Sequence, residues 1–105
     1  MTPLASLLAA VESGIPAKNI DFSAIGDYDD ITLAGKSCEG STDAAISLCE
    51  AMLPEWQWAI CKGAAGVAPL TASYIMQNAV ECQGNPARAL LIAVLRALVD
   101  REATP

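Results

Sequence analysis

The chain has 105 residues, of which 53% are hydrophobic and 17% are charged, and its formal net charge is −6 with no histidine. A chain of this length and composition is expected to form one domain with a modest core, and the composition argues against disorder. The negative charge argues against direct binding to nucleic acid or to an anionic membrane, and no apolar run is long enough to span a bilayer.

The first part of the chain, residues 1–14, is typical of a short helix. Thr2 is placed to cap its first turn, and Pro3 suits the first helical position, where a missing N–H has no cost. The next part, residues 15–40, is interrupted by Gly, Asn and Asp. It predicts an irregular acidic loop region, in which Ile31–Leu33 is a short strand.

A helix and a β-hairpin are predicted next. The helix begins at Ser41 or Thr42, either of which is a good capping residue. Trp56–Lys62 predicts a strand from its composition and partial alternation. Gly63–Pro69 is typical of a loop, and Ala72–Glu81 predicts a second strand that pairs antiparallel with the first.

The last segment, Asn85–Arg101, predicts a helix with both ends marked. Asn85 is suited to the capping position, and Pro86 is suited to the first helical position. The residues of its main apolar face recur at helical spacing. They are Ala87, Leu90, Leu91, Val94 and Leu98.

The same helix carries apolar residues on a second side. Ile92 and Val99 lie there, beside Arg88 and Arg96. A helix that is apolar on two sides is covered on two sides. We therefore predict a candidate interface formed by these four residues. It is a seam between copies of a homo-oligomer, or it is covered by the loop region 15–40, or it is an exposed patch.

A candidate binding surface is predicted on the hairpin. Trp56 and Trp58 share one face of their strand, and Tyr74 is expected across from them. Aromatic side chains in this arrangement stack on a base or form the hot spot of a protein interface. The more common role is packing in the core, and a tryptophan that is exposed would be the best binding candidate that the sequence offers.

The four cysteines, Cys38, Cys49, Cys61 and Cys82, lack the close spacing of a zinc site or a redox pair. The N-terminal residues lack the basic segment and long apolar run of a signal peptide, so we expect a cytoplasmic protein. In a reducing compartment the cysteines are expected to be free and buried as small apolar residues. No metal ion and no cofactor are predicted.

Two polar motifs suggest chemistry but lack essential residues. Gly35–Ser37 resembles the end of a phosphate-binding loop, yet Asp30 occupies the position of the first glycine, so an ordinary turn is expected. Asp27, Asp29 and Asp30 lack the ligand spacing of a calcium loop and predict a solvated acidic loop. Without histidine, no serine or cysteine has a recognisable base partner, and we predict that the protein is not an enzyme.

A resemblance to a known group rests on three runs, Ser41–Ala45, Pro54–Trp58 and Pro86–Leu91. An Asp-Ala-Ala helix, a Trp-x-Trp strand and a closing Ala-Leu-rich helix resemble small bacteriophage proteins described as phage alpha-beta-alpha sandwich domain proteins. The resemblance covers about residues 41–101, whereas residues 17–40 depart from the group's pattern. It implies a phage or prophage origin and a small layered fold, and it implies no reaction.

Together these observations predict a single α+β domain over residues 1–105, with a helix–hairpin–helix core in residues 41–105. Two or three α-helices are layered on a small antiparallel β-hairpin or sheet. We expect a non-enzymatic phage accessory protein that forms a homo-oligomer in the host bacterial cytoplasm. It would bind a host protein, such as an anti-phage defence component, or a small signalling ligand. The alternative is a structural or assembly component of the phage particle.

Overall fold

The computed structural model describes residues 2–71, 79–81 and 84–103. Its helices are α1 (Pro3–Glu12), α2 (Tyr28–Cys38), α3 (Thr42–Met52) and α4 (Pro86–Ala103). Its strands are β1 (Trp56–Cys61), β2 (Ala64–Pro69) and β3 (Val80–Glu81). Two short 3-10 helices, Ala17–Asn19 and Ser23–Ile25, connect α1 to α2. The α+β class is confirmed, and the described residues form one more α-helix than the most we expected.

Helix α4 lies between the other helices and the sheet. Its first turn forms as the sequence predicts, because the Asn85 Oδ1 atom accepts a hydrogen bond from the Arg88 amide at 3.0 Å. The side chains of α4 are buried on several sides. The buried residues are Ala87, Ala89, Leu90, Leu91, Ala93, Val94, Leu95, Ala97 and Leu98. Such broad burial explains why alanine and leucine dominate this helix.

Two apolar clusters meet on α4. The larger cluster joins α4 to α1, α2 and α3 through residues such as Val11, Leu48 and Leu95. The smaller cluster joins α4 to the sheet through alanine and valine side chains, including Ala65 and Val80. The helix therefore holds the two layers of the protein together.

Residues 28–38 form α2. The prediction of an irregular region over residues 15–40, with a strand at Ile31–Leu33, is therefore wrong for this segment. Asp27 starts this helix, because its Oδ1 atom accepts a hydrogen bond from the Asp30 amide at 3.1 Å. Acidic residues in the first turn and Lys36 in the last turn match the helix dipole. The β-branched residues suggested a strand, but burial follows a helical spacing.

Two glycines of this region give opposite expectations for alanine substitution. Gly26 has φ +148°, and a Cβ there would lie 2.8 Å from Asp30 Oδ2. We expect Gly26→Ala to lower the free energy of unfolding by about 1 to 2 kcal/mol. Gly35 lies within α2, where a Cβ would meet no atom within 4 Å. Gly35→Ala is its matched control and should raise stability by about 0.5 to 1 kcal/mol. Urea denaturation measures the change in the free energy of unfolding for both variants. If both variants raise it, or both lower it, the backbone conformation described for these two glycines is wrong.

The predicted hairpin has the wrong second strand. Residues 64–69, expected to be a loop, form β2, and β1 pairs with it antiparallel from Trp56↔Pro69 to Cys61↔Ala64. The connection is therefore only two residues long, and Gly63 adopts the φ of +90° that this turn requires. Of the expected strand Ala72–Glu81, residues 72–78 lie outside the described part, and Val80–Glu81 forms β3 beside β2.

The small residues of β2 are the reason that the sequence predicts a loop there. Their small size allows close packing between the strand and α4. Ala65 on β2 is fully buried in the cluster that also contains Ala89 and Ala93 of α4. Small side chains on both elements let the strand and the helix approach closely. No helix among the described residues is long and apolar enough to cross a membrane.

Candidate functional site

An open groove of about 450 Å³ lies between the end of α1, strand β3 and the first half of α4. Val11 and Glu12 of α1 form one wall, and Val80 and Glu81 of β3 form the other. The floor is formed by α4, including Arg88, Ala89, Ile92 and Arg96. Three of the four residues that the sequence singled out as a candidate interface therefore line a concavity.

Arg88 is half-buried and fixed to the end of α1. Its Nε and Nη2 atoms donate to the Val11 carbonyl oxygen at 3.1 and 2.9 Å, and Nη2 also donates to the Ile15 carbonyl oxygen at 2.8 Å. These acceptors are neutral backbone carbonyls, and that of Val11 also accepts a hydrogen bond from the Gly14 amide at 3.2 Å. Arg88 thus joins the end of α1 to α4 through neutral acceptors.

Arg96 has a different environment. Its Nε atom donates to Glu12 Oε2 at 3.0 Å, and Nη2 donates to the same oxygen. The two side chains are 49% and 35% exposed, so water screens their attraction. Arg96 is therefore paired with a carboxylate, whereas no carboxylate among the described residues pairs with Arg88.

The apolar members of the candidate interface are half-buried. Ile92 packs against both apolar clusters and lines the groove, and Val99 lies further along α4. The chain covers this side of α4 with α1 near Arg88 and Arg96. Self-association through these residues stays a prediction.

The candidate binding surface on the hairpin divides into separate roles. Trp56 is half-buried and packs against the larger cluster. Trp58 lies on the same strand but is 37% exposed. Tyr74 lies outside the described residues. Of the two described members of this set, Trp58 is thus the more exposed.

The polar motifs take structural roles. Gly35–Ser37 lies inside α2 rather than in the expected turn, and the buried Ser37 donates to the Leu33 carbonyl oxygen at 2.7 Å. Asp27 caps the same helix instead of forming part of a loop. Partial burial raises the pKa of Asp30, and the charges of Asp27 and Asp29 raise it further. Among the described residues, no three His, Cys, Asp or Glu side chains are grouped to hold a metal ion.

The cysteines do not share one environment. Cys38 and Cys49 are buried and free, as expected, but Cys61 at the end of β1 is free and exposed, so its expected burial is wrong. Burial raises the pKa of Cys38 and raises that of Cys49 to about 11. Both thiols are therefore neutral near pH 7. Cys82 lies outside the described residues.

A second depression, of about 330 Å³, lies between α1 and the 3-10 helices. Asp21 is the charged residue in its lining, so its electrostatics differ from those of the groove with its two arginines. Asp21 accepts a hydrogen bond from the Ser23 amide at 2.9 Å, which lowers its pKa. The described residues that line this depression therefore carry a negative charge and no positive one, so it does not attract an anion.

No protein family, curated protein sequence or solved structure matches this chain.

Proposed function

We propose that the chain is a non-enzymatic accessory protein of a phage or prophage, that it acts in the cytoplasm of the host bacterium by binding, and that the groove is its binding site. The phage origin rests on the resemblance of residues 41–101. The groove itself, open to solvent and floored by Arg88 and Ile92, is the observation that supports a binding function.

The dimensions of the groove favour a small ligand over a host protein. Its volume of about 450 Å³ falls in the range of small-molecule sites, and its lining combines apolar side chains with a few charged ones. A protein partner would need a much larger complementary surface. Of the two kinds of target expected from the sequence, a small signalling ligand therefore fits this site better.

Native mass spectrometry of the protein purified from bacterial cytoplasm tests this function. The wild-type protein is expected to carry a small molecule, and the spectrum also reports the number of subunits. Ile92→Trp fills the floor of the groove and should remove the bound molecule, whereas Leu70→Ser, at an exposed position outside the groove lining, should retain it. A molecule retained by Ile92→Trp, or none on any protein in repeated preparations, would contradict the proposal.

A further inference from the structure

We infer that the groove selects a ligand with a single oxyanion, a carboxylate or a phosphate monoester, attached to a short apolar body. The oxyanion contacts Arg88, and the body lies along Ile92. This inference rests on the proposed function, because it names the chemical class of ligand for the same groove.

The charge of Arg88 supports an anion at its end of the groove. Within the described part of the chain no carboxylate forms an ion pair with it, and its Nη1 atom donates to no residue. A half-buried charge whose bonds are all to neutral carbonyls gains from an anion, since charge-assisted hydrogen bonds are stronger than neutral ones. The three bonds to Val11 and Ile15 also fix the guanidinium in place before a ligand arrives.

The pairing of Arg96 with Glu12 limits the ligand to one such group. A second anion at Arg96 would have to displace Glu12 or lie beside its carboxylate. Glu81 adds a further negative charge to the opposite wall. Like charges at this spacing repel, so a second anionic group would lose the affinity that the first one gains.

The surface between the two arginines is apolar. Ile92 lies one turn from each of them, and Val11 and Val80 face the same space from the two walls. Arg88 and Arg96 are eight residues apart, which is about 12 Å along the helix axis. An apolar body of about five carbons therefore covers Ile92 and ends before it reaches the Arg96–Glu12 pair.

Titration calorimetry with four probes of equal chain length tests the charge of the ligand. Hexanoate and hexyl phosphate carry the oxyanion, 1-hexanol lacks it, and hexylamine reverses it. For ligands this small we expect a Kd of about 1 mM for the anions. The alcohol should bind at least about tenfold more weakly, since it lacks the charge-assisted contact. Adipate, with two carboxylates, should bind more weakly than hexanoate.

Two substitutions of equal size locate the site. Ile92→Glu places a negative charge beside the ligand, and Ile92→Gln introduces a similar polar side chain without charge. Hexanoate should lose at least about tenfold more affinity in the first than in the second. Arg101→Gln, in the last turn of α4 and outside the groove lining, should leave the affinity unchanged. Circular dichroism checks that each variant is folded, and a variant that fails is replaced by Ala79→Glu with Ala79→Gln, at a half-buried position of the same lining.

The possible failures separate the two proposals. If hexylamine or 1-hexanol binds as well as hexanoate, and Ile92→Trp removes that binding, the anion inference is wrong while the binding function stands. If the Glu and Gln variants lose the same affinity for hexanoate, the anion does not lie at Arg88. If no probe binds and no molecule co-purifies, both proposals are wrong.

Discussion

Leu95→Ala is expected to lower the free energy of unfolding by about 3 to 5 kcal/mol. Leu95 lies on α4, is fully buried, and belongs to the larger apolar cluster. Its truncation removes buried methyl groups and leaves a cavity that the surrounding helices fill only in part. Since small domains are stable by only about 5 to 15 kcal/mol, this loss is a large fraction of the total.

Urea denaturation followed by tryptophan fluorescence measures the effect of Leu95→Ala. Leu70→Ala is the matched control, because the Leu70 side chain is 64% exposed. The control should change the free energy of unfolding by no more than about 0.5 kcal/mol. Similar losses for the two leucines would show that α4 does not form the centre of the core.

Arg88→Met is expected to lower the free energy of unfolding by about 2 to 3 kcal/mol, although it removes a residue with no carboxylate partner in the described chain. The substitution keeps most of the apolar stem and removes the hydrogen bonds to the Val11 and Ile15 carbonyls. Those carbonyls then lose a charged donor near the end of α1, and the attachment of α1 to α4 weakens.

Arg96→Met provides the comparison on the same helix. The Arg96–Glu12 pair is exposed, so its removal should cost no more than about 1 kcal/mol. Salt should reduce that small cost further, whereas the larger cost at Arg88 should persist in high salt, because its partners are backbone carbonyls. Equal costs at the two positions in both salt conditions would argue against the structural role of Arg88.

The elements that could be predicted from the sequence are those whose ends are marked by local residues. Thr2 accepts a hydrogen bond from the Ala5 amide at 3.2 Å, and Asn85 accepts one from the Arg88 amide, as their positions predicted. Helix α2 has an equally clear cap in Asp27. It is not predicted from the sequence, because the β-branched residues and Gly35 in its interior have low helix propensity. In α2 the burial of Ala34 and Cys38 stabilises the helix by more than the unfavourable local propensities destabilise it.

The candidate site could be predicted only in part. The spacing of Arg88, Ile92 and Arg96 along one helix is a local property, so periodicity placed them on one side together. Their partners on α1 are more than seventy positions away in the chain, and no pattern relates Val11 or Glu12 to them. The groove exists because α1 and β3 lie on either side of α4, and that arrangement is decided by tertiary packing.

The position of α4 in the chain has a consequence for biogenesis. A ribosome delivers a protein from its N-terminus, so the segments that this helix joins are synthesised before it. Until residues 86–103 leave the ribosome, both apolar clusters lack the side chains of α4. The leucine and alanine side chains of the earlier segments therefore stay in contact with water. Nascent chains should therefore remain open to chaperones and proteases until translation has passed the last described helix.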